Sequence, residues 1–297
     1  MLMKANIERA LAPSVARNLR YLLELPIPLG LKEWLWHNAN RYFLHHSAKV
    51  IGRDKFGQAL NCQVNDFVQK HIAVFGVWEP KLTHYLLSKP RSGIFIDVGA
   101  NIGYYTLLAS RIFDSVVAFE PSPISFIEMA TNLAHNQINN ARAFQVAISP
   151  ERGTKPLYKS INSNSGMASV KRRSGAHLEA EVQCGPMSDY VSDEEWKNVS
   201  FIKIDVEGAE IDVVHSLLPK MPLLPSGVEI MIESSSNDTN GNLIFELLTK
   251  AGFSAFDLRS TYCLAEYFSP STYSLEPIFR PPEEFTDCIF KRSTPPR

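Results

Sequence analysis

Four acidic side chains lie where a predicted β-strand ends. Asp97, Glu120, Asp205 and Glu233 each close or directly follow a short apolar run that is typical of a strand. If these strands are parallel, their carboxyl ends meet at one edge of the sheet, where ligands bind. Carboxylates gathered there can hold a cation, accept hydrogen bonds from hydroxyl groups or act as general bases. We therefore expect the four acids to face one shared site.

The first of these acids precedes a glycine turn that runs from Gly99 to Gly103 with the sequence GANIG. A dinucleotide-binding turn has the pattern G-x-G-x-x-G, which lets backbone amides approach a pyrophosphate. Here Asn101 stands at the second glycine position and the bulky Tyr104 at the third. The Gly-Lys-Ser/Thr of a P-loop is also absent. The turn is therefore unsuited to a phosphate group.

Two of the acids favour a different ligand. Asp97 stands just before the turn, where a carboxylate repels a pyrophosphate and attracts a ligand ammonium. Glu120 ends the next strand, where a carboxylate accepts both hydroxyls of a ribose. S-adenosylmethionine has an amino-acid head, a ribose and no phosphate, so it fits both positions. The alternatives are a helix-capping role for Asp97 and a surface position for Glu120.

The segment IKIDVEGAEI carries the most functional groups of any stretch of the chain. Asp205 or Glu207 is a candidate general base for methyl transfer to an oxygen, and Lys203 could tune either acid or stabilise an alkoxide. Asp205, Glu207 and Glu233 together could also bind a divalent cation through oxygen ligands. The alternatives are a salt-bridged network that only holds the turn in place, and no metal at all.

A regular alternation of strands and helices surrounds these residues and begins at Gly93. It predicts a parallel sheet with helices on both faces. Residues 1–75 are expected to form an N-terminal helical segment with short strands, among them KVIG, QALNCQV and KHIAVFGV. Residues 76–297 are expected to form the main domain, with a single strand in ARAFQVAI and a polar insertion from Ser149 to Asp193. Within that insertion, the polar loop NSNSGMAS could bind a sugar-like acceptor or form a plain turn.

The composition narrows the class of partner. The 297 residues have a formal net charge of −1, which predicts no nucleic-acid partner. No apolar run reaches the length of roughly 18 residues that a membrane-spanning helix needs, and the N-terminus shows no secretory signal pattern. We expect a cytoplasmic protein, in which helices within residues 1–47 mediate self-association, cover the acceptor pocket or pack on the main domain.

Several motifs, in order, resemble the FkbM family of S-adenosylmethionine-dependent methyltransferases. They are FGVWEP, FIDVGANIGYYTLLAS, VVAFEPSP and IKIDVEGAE, and the resemblance covers roughly residues 76–256. It implies a Rossmann-like sheet of seven strands whose last strand, TDCIFKR, is antiparallel. It also implies O-methylation of a hydroxyl on a glycan or small natural product.

The resemblance and the strand ends together predict the contacts of the cofactor. The predicted cofactor-binding residues are Asp97, Gly99, Ala100, Asn101, Gly103, Tyr104, Tyr105, Thr106, Glu120, Pro121, Ser122, Val146, Ala147 and Asp205. Trp78 and Glu79, which precede the first strand of the main sheet, could close over the cofactor or only pack.

Two other functions remain open from the sequence. A nicotinamide-dependent oxidoreductase can use a related sheet, although Tyr104 at the third glycine position opposes it. A non-catalytic cofactor-binding or scaffold protein could also keep the fold. Neither the acceptor nor its reacting hydroxyl can be read from these residues.

Overall fold

A computed structural model describes residues 2–44, 48–159, 168–171, 175–237, 240–261, 263–268 and 273–292, with the side chains of 2–12 and 44 left aside. The α-helices are α1 Leu2–Glu24, α2 Leu29–Leu44, α3 Phe67–Phe75, α4 Pro80–Leu87, α5 Tyr104–Ser110, α6 Pro123–His135, α7 Asp193–Trp196, α8 Glu210–Leu217, α9 Gly241–Lys250 and α10 Leu264–Phe268. The strands are β1 Lys49–Arg53, β2 Ala59–Gln63, β3 Ile94–Val98, β4 Ser115–Phe119, β5 Ala141–Phe144, β6 Ala147–Ile148, β7 Gly153–Lys159, β8 His177–Gly185, β9 Val199–Ile204, β10 Glu229–Ser234, β11 Phe253–Asp257, β12 Glu276–Ile278 and β13 Thr286–Arg292.

The main sheet has eight strands in the order β12-β11-β13-β10-β9-β3-β4-β5. Strands β5, β4, β3, β9 and β10 pair in parallel, whereas β13 runs antiparallel to both of its neighbours, β10 and β11. The predicted α/β sheet with an antiparallel last strand is therefore confirmed. The prediction of seven strands was short by one, because the edge strand β12 lies in a segment without a strand-like pattern.

The N-terminal part contains one wrong prediction. The strands predicted in KVIG and QALNCQV are present as β1 and β2, which pair antiparallel. Most of the segment KHIAVFGV, predicted as a strand, lies instead in helix α3, which ends at Phe75. The Asp66 side chain caps this helix by accepting a hydrogen bond from the backbone amide of Gln69, and Gly76 ends it at φ 68°. A short apolar run fits a buried helix as well as a strand, and here the cap decides between them.

The segment after β4 departs from the prediction in two places. ARAFQVAI is split, so that β5 joins the main sheet and β6 joins a separate sheet of order β6-β8-β7. The insertion, predicted as polar and without an assigned strand, contributes β7 and β8 as an antiparallel pair. Most of the NSNSGMAS loop lies outside the described residues, but Ser169 forms a bridge with Tyr158.

Apolar side chains cover both faces of the main sheet. Phe95 and Phe201 stack with ring centroids 5.4 Å apart on one face, where Leu19 of α1 and Trp36 of α2 join the same apolar cluster. Ile96 and its neighbours pack on the other face with α8 and α9. In the part of the chain that the structure describes, no helix combines the length and the apolar character needed to cross a membrane.

Candidate active site

Charged side chains form a row across four neighbouring strands of the main sheet. Asp97 on β3 pairs in register with Lys203 on β9, and Glu233 on β10 pairs in register with Asp287 on β13. Asp205 lies two residues after Lys203, so the pleat places both side chains on the same face. The sequence predicted all of these except Asp287, which stands on the antiparallel strand and so escaped a search of parallel strand ends.

Lys203 is the cation at the centre of this row. Its side chain is buried, its Nζ lies 2.7 Å from Oδ2 of Asp205, and it sits 4.9 Å from the centroid of the Tyr105 ring. Burial lowers the pKa of this ammonium, but Asp205, Glu79 and Asp97 more than offset that effect and raise the pKa above its ordinary value. Lys203 is therefore a permanent positive charge and not a base.

Three acids of this row, Asp97, Glu233 and Asp287, have pKa values above those of exposed carboxyl groups. Burial raises the pKa of Asp97, whose Oδ2 accepts a hydrogen bond of 2.6 Å from the Thr106 hydroxyl. Burial also raises the pKa of Glu233 to about 8 and that of Asp287 to about 6. Asp205 contributes to each of these shifts through repulsion between like charges.

The glycine turn is shaped by contact with the neighbouring strand. Gly99 has φ 86°, and a Cβ there would come within 1.8 Å of the backbone oxygen of Asp205. Gly103 has φ 87°, and a Cβ would meet the side chain of Met129 at 2.9 Å. The backbone amides of Gly99 and Ala100 both donate to the carbonyl of Phe119 at the end of β4. The turn thus binds the ends of β3, β4 and β9 together.

Glu120 is tied to this turn through both of its oxygens. Oε2 accepts a hydrogen bond of 2.7 Å from the backbone amide of Asn101, and Oε1 accepts one of 2.8 Å from that of Ser122. Burial raises the pKa of the Glu120 carboxyl to about 7, with opposition from these two amides. Each carboxylate oxygen has a second lone pair, so the group can still accept hydrogen bonds from a ribose.

One cavity of about 230 Å³ joins these groups. The predicted site residues that line it are Asp97, Gly99, Ala100, Asn101, Tyr104, Tyr105, Glu120, Pro121, Val146, Ala147, Lys203, Asp205, Glu207 and Glu233. Gly103, Thr106 and Ser122 do not line it, although Thr106 and Ser122 bind the acids that do. Contacts of the whole set with a cofactor stay a prediction.

The cavity also has walls that the sequence did not reveal. Phe67, Val68 and Ile72 of α3 line it, as do Leu157 and Val170 of the insertion. The residues of α3 were missed because that segment was predicted in part as a strand. The sequence indicated this wall only through the FGVWEP motif, from which Trp78 and Glu79 were predicted to lie near the cofactor. Both residues line the cavity.

Strained backbone is concentrated at this cavity. Glu79, Asn101 and Glu207 have φ of 43°, 51° and 57°, and they are three of the five non-glycine residues with positive φ among the described residues. Non-glycine residues rarely adopt this conformation, and it persists where the surrounding structure imposes it, often at functional sites. The Ser169 hydroxyl supports one of these positions by donating to the backbone oxygen of Glu207, 2.8 Å away.

The predicted metal site has no support in this geometry. Within the described ranges, no group of three or more His, Cys, Asp or Glu side chains is placed to hold a metal ion. The predicted ligands Asp205, Glu207 and Glu233 are not found as such a group, and Oδ2 of Asp205 pairs with the Lys203 ammonium.

The raised pKa values predict how the stability of the free protein changes with pH. The folded-state pKa of Glu120 is about 7 and that of Glu233 about 8, both above the ordinary value of 4.5. A group shifted upward stabilises the fold at low pH, and this contribution is lost as the pH rises through the folded-state pKa. Burial lowers the pKa of His71 to about 4. This shift raises the stability of the fold as the pH increases from about 4 to the ordinary value of 6.5, and it has no further effect above that pH.

We therefore expect the free energy of unfolding to fall between about pH 6.5 and 8. Urea denaturation at a series of pH values measures this directly. Glu233→Gln should flatten the upper part of the curve, because the amide does not titrate. A stability that is constant or rises over this interval would show that these carboxyls are not shifted in the folded protein.

The residues present fit S-adenosylmethionine. Oδ1 of Asp97 and Oδ1 of Asn101 are buried without a hydrogen-bond partner, and Asp97 and Asn101 both line the cavity, so these oxygens can accept hydrogen bonds from a ligand. Gly99 places no Cβ in the turn, and Glu120 lines the same cavity. The sheet order, the phosphate-free turn and the acidic cavity define an S-adenosylmethionine-dependent methyltransferase.

Comparisons with known proteins specify the family. The sequence model of the methyltransferase FkbM domain matches residues 97–255, more than half of the 297 residues. The chain belongs to the FkbM methyltransferase family, as its motifs indicated. A family of methyltransferases leaves no support for the nicotinamide-dependent alternative.

Individual relatives are more distant. Methyltransferase sdnD of Sordaria araneosa is 26% identical over 190 residues, which cover 50% of this chain and 73% of the relative. Methyltransferase 1 of Beauveria bassiana is 28% identical over 151 residues, 43% of this chain and 59% of the relative, which is less than two thirds of its length. Among solved structures, a putative methyltransferase from Streptococcus mutans in complex with SAH is 13% identical, with a TM-score of 0.40, over 72% of this chain and 98% of that one.

Proposed function

We propose that this methyltransferase transfers the methyl group of S-adenosylmethionine to a hydroxyl of a small natural product or glycan. The observation that carries the proposal is the Lys203–Asp205 ion pair in the wall of the cavity, with the acidic Glu207 in the same lining. An alcohol has to lose its proton during transfer, so a carboxylate that accepts this proton and a cation that stabilises the oxygen are the groups the reaction requires.

Different residues of the cavity would bind the nucleoside part and the amino-acid part of the cofactor. Glu120 would accept hydrogen bonds from the ribose hydroxyls, and Pro121 and Val146 would lie beside the adenine. Asp97 would accept a hydrogen bond from the ammonium through its unpartnered Oδ1. When it is bound, S-adenosylmethionine supplies an electrophilic methyl group, and the protein's part is to align the acceptor oxygen with it.

Two carboxylates are candidates to receive the acceptor's proton. Asp205 accepts a hydrogen bond from the Lys203 ammonium at 2.7 Å, so it also orients that cation. Glu207 lines the same cavity and is held by the left-handed backbone that precedes Gly208. Lys203 stabilises negative charge that develops on the acceptor oxygen, since its ammonium remains charged.

The charge of the cavity also bears on the acceptor. Among the described residues, six acidic side chains line it, from Glu79, Asp97, Glu120, Asp205, Glu207 and Glu233, against the one ammonium of Lys203. Those that are ionised repel an anion strongly in a poorly solvated cavity. The acceptor should therefore not be anionic at its reacting end, so a polyol or a phenol-like alcohol suits the cavity better than a phosphate ester or a carboxylate.

Calorimetry with S-adenosylhomocysteine tests the cofactor part of the proposal. We expect wild type to bind, and Glu120→Ala to bind about 100-fold more weakly, because the substitution removes the ribose acceptor and frees the two amides that hold the turn. Glu246→Ala, which removes an exposed acid on α9, is the matched control. Absence of binding by wild type, or equal binding by Glu120→Ala, would refute the proposed cofactor site.

The acceptor part needs a separate experiment. Trideuteromethyl S-adenosylmethionine is incubated with the protein and a panel of neutral polyols, phenols and hydroxylated terpenoids, together with phosphorylated and carboxylated analogues. Mass spectrometry then identifies products that carry the labelled methyl group. Labelling of neutral hydroxyls supports the proposal, whereas labelling only at carboxylates, phosphates or nitrogen would overturn it.

A further inference from the structure

Glu79 is a buried acid of the cavity that the proposed chemistry does not yet use. It lines the cavity and is 4% exposed. It comes from the segment before α4, and not from a strand end as Asp97, Asp205 and Glu233 do. Its carboxylate is therefore brought to the site by a separate element.

The backbone of Glu79 shows that its side chain is directed inward. It occupies the N-cap position of α4, where an acidic side chain ordinarily accepts a hydrogen bond from the first turn of the helix. Here it makes no such bond, and the residue adopts the left-handed conformation at φ 43° and ψ 74°. Its Oε2 instead accepts a hydrogen bond of 2.7 Å from the hydroxyl of Tyr105, the second residue of α5. The strained backbone thus directs the carboxylate into the cavity, although an unstrained residue could have capped helix α4.

The named groups around Glu79 carry more negative than positive charge. They are Lys203 of β9, Asp205 just after β9, Asp287 of β13 and the hydroxyl of Tyr105 from α5. Lys203 is the cation among these four groups. The fully buried Asp97, which belongs to the same charge cluster, has an oxygen without any partner. Burial and the carboxylates of Asp287 and Asp205 raise the pKa of Glu79, and a positively charged ligand would favour its ionised form.

S-adenosylmethionine carries two positive charges, an ammonium and a sulfonium, whereas S-adenosylhomocysteine carries only the ammonium. Asp97 is the acid next to the glycine turn and suits the ammonium. Glu79 lines the same cavity as Lys203 and Asp205 and faces both of them, so it suits the charge at the reacting end.

We propose, on the basis of the proposed function, that the Glu79 carboxylate is the charge partner of the donor's sulfonium. It would then select the methyl donor against the demethylated product, which has lost that charge. Glu79 would thus set the relative affinity for donor and product, and it would not accept the proton of the acceptor.

The test compares the two ligands in one variant. Dissociation constants for S-adenosylmethionine, S-adenosylhomocysteine and sinefungin, which carries an ammonium near the position of the methyl, are measured by calorimetry without any acceptor. In Glu79→Gln, which keeps the shape and an oxygen for the Tyr105 hydroxyl, we expect the affinity ratio of donor to product to fall about tenfold. Sinefungin should follow the donor.

Two further variants make the result decisive. Glu246→Gln removes an equal charge from the exposed surface of α9 and should leave the ratio unchanged. Glu79→Asp keeps the charge and should retain most of the preference. Glu79→Ala, which removes the charge together with the side chain, replaces Glu79→Gln if that variant does not fold. An unchanged ratio in Glu79→Gln, or an equal fall for Glu79→Asp and Glu79→Gln, overturns the assignment while the proposed function stands. Failure of wild type to bind either ligand would instead refute the proposed function.

Discussion

Gly99→Ala is expected to abolish cofactor binding and to lower the free energy of unfolding by more than about 4 kcal/mol. A methyl group at this position would lie 1.8 Å from the backbone oxygen of Asp205, and Gly99 has the left-handed φ of 86°. Relief of the clash requires β3 and β9 to separate where Lys203 and Asp205 meet the turn. Urea denaturation and calorimetry with S-adenosylhomocysteine measure the two effects.

A second glycine separates the clash from the backbone strain. Gly57 has φ 85°, almost the same as Gly99, but a Cβ there would meet nothing within 4 Å. Gly57→Ala should therefore cost only about 1–2 kcal/mol, the usual penalty for a left-handed residue that is not glycine. If the two alanine variants lose equal stability, the close approach of Gly99 to Asp205 is not what holds this edge of the sheet together.

Lys203→Met is expected to destabilise the protein by about 3–5 kcal/mol, as removal of one partner from a buried charge network does. The substitution keeps the apolar length of the side chain but leaves Asp97, Glu79 and Asp205 without their shared cation. It should also abolish methyl transfer, because no positive charge then stabilises the acceptor oxygen. Unfolding by urea and product formation with an identified acceptor are the measurements.

The loss in this variant should depend on pH. Without the ammonium, the pKa values of the neighbouring carboxyls rise further, so the variant regains stability as the pH falls and these groups take up protons. Lys291→Met is the matched control, because the acid that it contacts, Glu229, also binds Arg91 and Lys89. Equal destabilisation of both variants, or a loss for Lys203→Met that does not change between pH 5 and 8, would contradict the charge network.

The fold was predictable wherever the local sequence pattern fits only one kind of secondary structure. The apolar runs of β3, β4, β9 and β10 are short and bounded by turns, so their assignment as strands held. Where an apolar run was ambiguous, the prediction failed. Helix α3 was predicted in part as a strand, because a short apolar run fits either element, and the cap at Asp66 is identified only in the structure. Strands β5 and β6 were merged, since no residue between them marks the change of sheet.

The candidate site was predictable to the extent that it lies on strand ends. The two-residue period of β9 places Lys203 and Asp205 on one face, and the order of strands and helices indicates which ends meet. Asp287 could not be placed in the same way, because its position beside Glu233 depends on the antiparallel register of β10 and β13. The family could be predicted from the motifs, because each motif is a continuous stretch of the sequence.

By itself, the sequence determined the glycine turn without a third glycine, the acids beside it and the alternation that makes a parallel sheet, because each depends on residues close together in the chain. The tertiary structure decided that the Lys203 ammonium interacts with several carboxyl groups, that Asp205 pairs with Lys203, and that Glu79 reaches the cavity from outside the sheet. Those features depend on distances between residues that are far apart in sequence. Only the folded chain brings such charges close together and shields them from water, so that one charge can shift the pKa of another.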